Sequence, residues 1–107
     1  MAVVELTGAT FDETVRASTV PVVVDVTAQW CGPCHAMDPV LEEMAGEVEG
    51  EMVITRIDSD ENPDTVRRLG VMSVPTLVVF VDGVEAGRVV GARGNGRLRE
   101  DLRRILE

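Results

Sequence analysis

Hydrophobic and polar positions change period several times along this chain of 107 residues. Ala2 to Leu6 is a short apolar run that predicts a strand. Thr10-Phe11-Asp12-Glu13 has the form of a capping box, with Thr10 as N-cap and Glu13 three residues on. It predicts a short helix ending near Ala17. Val20 to Val26 is a β-branched run broken only by Pro21 and Asp25, which predicts a strand buried on both faces. Leu41, Met44, Ala45 and Val48 then recur at helical spacing, with Glu42, Glu43, Glu47 and Glu49 among them. They predict an amphipathic helix from about Cys34 to Gly50, kinked at Pro39. Met52 to Asp58 reads as a strand. Asn62-Pro63 reads as an N-cap followed by proline in the first turn of a helix that ends at Leu69-Gly70. Thr76 to Val81 is a β-branched strand, Asp82-Gly83 a hairpin turn, and Glu85 to Val90 its antiparallel return. Gly94-Asn95-Gly96 breaks the chain before a last helix striped by Leu98, Leu102, Ile105 and Leu106. The order βαβαβαββα predicts an α/β fold, a mixed sheet covered by helices on both faces.

Composition narrows this picture. The length predicts a single domain, residues 1–107. Hydrophobic residues make up 45%, enough for a core without staples. With 19 acidic against 10 basic residues, the formal net charge is -9. Nucleic acid is not an expected partner, since phosphate binding relies on Lys and Arg. An anionic membrane surface is disfavoured for the same reason. Every basic residue is arginine, and tyrosine is absent, which reads as a compositional habit. No leader pattern and no apolar run of membrane-spanning length is visible, so the expected location is the cytoplasm.

The candidate chemistry lies in Trp30-Cys31-Gly32-Pro33-Cys34, between the second strand and its helix. It holds the only two cysteines and the only tryptophan. A staple is one reading of the pair, but closing a four-residue loop contributes only roughly 2 kcal/mol by the chain-entropy formula. A metal site is another, but such sites usually need four ligands; there is no third cysteine, and His35 is the only histidine. The third reading is a redox dithiol that opens and closes a disulfide.

That reading orders the residues. An ordinary thiol is only about 3% ionised at pH 7. A helix N-terminus favours the thiolate through its free N–H groups and dipole. Cys31 is expected to be the exposed nucleophile and Cys34 the buried resolving thiol, with Pro33 stiffening the ring and Gly32 leaving the approach open. Asp25 is a lone carboxyl in an apolar strand, where burial would keep it partly protonated. It reads either as the proton acceptor for Cys34 or as a solvent-facing strand end. Val74-Pro75-Thr76 reads either as an ordinary strand start or as a cis proline that sets Val74 opposite the cysteines as a rest for substrate backbone.

At this point the chain resembles the thioredoxin family. The residues that carry the resemblance are Val24-Asp25, Ala28, Trp30-Cys31-Gly32-Pro33-Cys34, Pro39, Asp60-Glu61-Asn62-Pro63, Val74-Pro75-Thr76, Asp82-Gly83 and Val90-Gly91-Ala92. The resemblance implies a thioredoxin fold, a five-stranded mixed sheet flanked by four helices, with Pro75 cis and facing the cysteines. It implies Cys31 as nucleophile, Cys34 as resolving thiol and Asp25 as buried acid. It also implies a docking surface for partner proteins made by Trp30, Gly32, Pro33, Val74, Pro75, Gly91 and Ala92. No cofactor or metal is expected to bind; electrons would come from NADPH through thioredoxin reductase. Three positions depart from the family pattern. Val26-Thr27 replaces an aromatic Phe-Trp pair. His35 replaces a lysine or arginine, and either titrates near neutral pH or is an inert exposed residue. Arg56 replaces a lysine near the buried aspartate; it stays charged and is expected to leave Asp25 with a lower proton affinity than in relatives.

The function expected is thiol–disulfide oxidoreduction: reduction of disulfide-containing client proteins by a monomer that thioredoxin reductase recharges. Two alternatives stand beside it. One is a dithiol oxidase or isomerase, disfavoured by Gly-Pro between the cysteines. The other is a binding or subunit module on the same fold, with redox incidental.

Overall fold

The computed structural model describes residues 2–107. Along the chain lie β1 (Val4–Leu6), α1 (Gly8–Ala17), β2 (Val22–Thr27), α2 (Gly32–Glu47), β3 (Val53–Asp58), α3 (Pro63–Arg68), β4 (Thr76–Val81), β5 (Val84–Val90) and α4 (Asn95–Leu106). The order is the one the hydrophobic pattern predicts. The strands form one sheet in the order β1-β3-β2-β4-β5. β3 runs parallel to β1 and β2, while β4 pairs antiparallel with β2 and β5. The result is a five-stranded mixed sheet with four helices.

Strand alternation divides the core in two. Val22, Val24, Val26, Ile57, Val78 and Phe80 pack with Phe11 and Val15 of α1. Val23, Ile54, Leu77, Val79 and Val89 pack with Met37, Leu41 and Met44 of α2 and Leu98 and Leu102 of α4. β2 lies between β3 and β4 and all six of its residues are buried.

Two helix starts differ from expectation. α1 begins at Gly8 with Thr7 as its cap, three residues before the predicted start. The Thr7 N–H donates to Thr10 Oγ1 at 2.9 Å, so Thr10 serves as the box partner rather than as the cap. α2 begins at Gly32 and runs through Pro39. Cys31 is its N-cap, at the helix start where the sequence places it. α3 opens at Pro63 after Asn62, as expected, but the Asn62 side chain does not cap it. Its Oδ1 accepts from the Gly8 N–H at 2.8 Å and ties α3 to α1. At the hairpin, Asp82 and Gly83 have φ of 53° and 80°, the left-handed pair that a two-residue β-turn requires. No helix among the described residues is long and apolar enough to cross a membrane.

Candidate active site

The site forms where β2 ends and α2 begins. Cys31 and Cys34 are joined as a disulfide with Cα atoms 5.3 Å apart. Cys31 Sγ accepts the Cys34 backbone N–H at 3.2 Å, which places the sulfur on the positive end of a 16-residue helix. Cys34 is fully buried. Cys31 is only 4% exposed, against the exposed sulfur that sequence predicts. The physical reason is packing across the fold: Cys31 is bonded to Cys34, and Ala28 and Val74 cover the pair.

Three loops meet around the sulfurs. The Val74–Pro75 peptide is cis, and the Val74 carbonyl oxygen lies 3.8 Å from Cys31 Sγ. The Gly91 N–H donates to the Pro75 carbonyl at 2.8 Å, with Gly91 at φ 97°, a conformation glycine adopts without strain. Trp30 is exposed, and its Nε1 donates to Asp60 Oδ2 at 2.8 Å. Gly32, Pro33 and Ala92 are exposed as well, Val74 and Gly91 are half-buried, and Pro75 is buried. The predicted docking residues thus come from three separate segments, of which the structure directly links Cys31 to Val74 and Pro75 to Gly91.

Beneath α2 lies the buried acid. Alternation puts Asp25 on the face that Val23 shares with α2, so it does not point to solvent. It is fully buried, and neither carboxyl oxygen has a hydrogen-bond partner among the described residues. Burial raises its pKa from the usual 3.8 to about 7; Arg56 opposes the rise, and the charges of Asp38 and Glu5 add to it. As a fixed positive charge, Arg56 pulls the pKa down, but desolvation outweighs it. Register explains why Arg56 is near at all: it pairs with Asp25 across β2 and β3 and with Glu5 across β1 and β3.

Arg56 is shared. Its nearest approaches are Nη2 to Asp38 Oδ1 at 3.1 Å, Nη1 to Glu5 at 3.3 Å and Nε to Asp25 at 3.8 Å. His35 approaches the other Asp38 oxygen with Nδ1 at 3.4 Å, while its Nε2 lies 2.5 Å from the Gln29 carbonyl oxygen. Two acceptors on one ring favour the imidazolium, and the Gln29 carbonyl, followed by Asp38, raises its pKa above 6.5. His35 is therefore engaged with neighbours rather than a bare exposed residue. Thr27, Gln29, His35, Asp38 and Arg56 line a cavity of about 460 Å³ beside the site. Asp38 was not legible as a site residue. Its only sequence signal is spacing, three residues after His35 and four after Cys34 on one helix.

The chemistry this permits is reversible disulfide formation at a helix N-terminus over a protonatable acid. Among the described residues, no group of His, Cys, Asp and Glu could hold a metal ion. Comparison with known proteins agrees with the geometry. The family model described as Thioredoxin matches residues 2–104. A thioredoxin of Staphylococcus aureus is 45% identical over 106 residues, covering 99% of this chain and all of the relative. A thioredoxin of Mycobacterium tuberculosis is 42% identical over 105 residues, 98% of this chain and 90% of the relative. A bifunctional thioredoxin reductase/thioredoxin of Mycobacterium leprae is 41% identical over 103 residues, 96% of this chain and 22% of that protein. With its fold, its Cys-Gly-Pro-Cys disulfide at a helix start and these matches together, this chain belongs to the thioredoxin family.

Proposed function

We propose that this chain, a single domain, reduces protein disulfides through a polarised Cys31–Cys34 cycle. The observation that carries the reading is Cys31 as the N-cap of α2, bonded to Cys34 on the sheet face that also holds the buried Asp25. Thioredoxins are protein-disulfide reductases that bind no cofactor and are recharged by thioredoxin reductase with NADPH. The Mycobacterium leprae relative, named as a fusion of both activities, supports that donor here.

In the first step the Cys31 thiolate attacks one sulfur of a client disulfide. A Cys31–client bond forms, the client bond breaks, and the departing thiolate takes a proton. Asp25 then accepts the Cys34 proton, and the Cys34 thiolate attacks Cys31. The second client thiolate leaves, the client has gained two electrons, and the pair is a disulfide. An acceptor with pKa about 7 is matched to neutral pH. Trp30, Gly32, Pro33, Val74, Pro75, Gly91 and Ala92 form the docking surface; the half-buried Val74 carbonyl beside Cys31 receives client backbone. The protein works as a cytoplasmic monomer.

The test is insulin reduction with NADPH and thioredoxin reductase. Cys31→Ser should abolish it, at least a thousandfold, whereas Cys34→Ser should stop turnover and accumulate mixed disulfides. Unchanged turnover in either variant sinks the cycle.

A further inference from the structure

The sharing of Arg56 extends the proposed mechanism and rests on Asp25 as the proton acceptor. Three carboxylates from three elements compete for this guanidinium: Glu5 on β1, Asp25 on β2 and Asp38 on α2. The exposed Glu5 and the half-buried Asp38 hold it more closely than the buried Asp25 does. Asp38 is 37% exposed at its side chain and Asp25 is at 0%, yet the Asp38 contact is 0.7 Å shorter, 3.1 against 3.8 Å. An unpartnered buried carboxylate would be expected to draw the cation hardest, because attraction strengthens as the surroundings dry. The observed placement is the reverse. Asp38 is itself oriented, with Oδ1 toward Arg56 and Oδ2 toward His35. Its hold on Arg56 is an ion contact: neither Asp38 Oδ1 nor Arg56 Nη2 makes a hydrogen bond among the described residues.

We propose that Asp38 is a positioning residue that clasps the Arg56 guanidinium away from Asp25, leaving the Asp25 carboxyl free to take the proton of Cys34. Glu5 accepts from the other terminal nitrogen, Nη1. Across β4 Asp25 faces Leu77, and among the described residues Arg56 is the one ion-pair partner of Asp25. Around Arg56, Asp58 on its own strand and Glu61 beyond it share the cavity with His35, so every further charge near the clasp is an acid except His35. The clasp separates a strong field from the proton acceptor without removing the cation from the fold. A guanidinium drawn fully onto Asp25 would hold it as a carboxylate and weaken it as a base.

The experiment follows the Asp25 carboxyl carbon by NMR from pH 4 to 9 in the full oxidised chain. Asp38→Asn should lower the Asp25 midpoint by about one pH unit, the size expected when a cation moves into contact. Asp38→Glu, which keeps the charge on a longer stem, should restore most of it. Asp38→Asn in an Arg56→Gln background should shift the midpoint by less than half as much, since there is then no guanidinium to release. An unmoved midpoint in Asp38→Asn overturns the clasp, as does a shift undiminished in the Arg56→Gln background, which would mean a direct field alone. Stopped-flow insulin reduction by the reduced proteins separates the clasp from the role of Asp25. If the acid limb of the rate profile moves with the midpoint, both stand. If the midpoint moves and the rate profile does not, the clasp stands and Asp25 leaves the mechanism.

Discussion

The two faces of this sheet are made by the same strands, yet they end differently. On the α1 and α3 side the packing is mostly hydrocarbon, through Val22, Val24, Val26, Ile57, Val78 and the edge-to-face pair Phe11 and Phe80, whose ring centres lie 5.6 Å apart, and the buried hydroxyls of Thr55 and Thr76 on that face both donate to backbone carbonyls. On the α2 side Val23 and Ile54 begin the same way, but the next residues on that face are Asp25 and Arg56. A fully buried carboxyl without a hydrogen bond destabilises a fold when charged. One face is therefore optimised for stability, and the other gives up stability at its cysteine end to hold a proton acceptor.

Three changes test that contrast, in decreasing size of effect. Asp25→Asn should stabilise the fold. The native pKa of about 7 lies above the ordinary 3.8, so the protonated form is favoured by folding. The native protein thus has its full contribution below about pH 4 and loses it as pH rises toward 7. The variant, neutral throughout, should be more stable by on the order of 4 kcal/mol above pH 7 and equal below pH 4. Urea unfolding at pH 4 and pH 8 measures both; a gain of the same size at both would show that charge burial is not the cause.

On the other face, Phe80→Ala should cost about 3 kcal/mol, from lost burial, the cavity left and the aromatic contact. Its cost should not change between pH 4 and 8, because every residue of that cluster is apolar and carries no charge to titrate. A strongly pH-dependent cost would erase the distinction between the faces. The smallest effect belongs to Asn62→Ala, which removes the bond from the Gly8 N–H. About 1 kcal/mol is expected, with faster amide exchange at Gly8. Unaltered exchange there would mean that the tie between α1 and α3 contributes nothing.

Local signals carried most of the fold. β4 is observed at its predicted bounds, because a β-branched run followed by Asp-Gly leaves few alternatives. The start of α1 was misread because Thr7 and Thr10 both fit a cap, and the choice between them depends on the backbone leaving β1. At the site, the cysteine pair, Asp25 and the Val74–Pro75 element were legible from unusual residues in revealing places. Asp38 and Glu5 were not, since an acidic residue on an amphipathic element looks like ordinary solvated surface.

By itself the sequence determined the order of elements, the redox pair at a strand-to-helix junction and the candidate acid beside it. These rest on spacing along the chain, which folding does not alter. Tertiary structure decided how much of Cys31 is covered, since Val74 reaches it from a distant loop. It also decided the protonation of Asp25 and the division of Arg56 among three carboxylates. Desolvation and Coulomb energies depend on distances between elements, and those distances exist only after the sheet and α2 have packed.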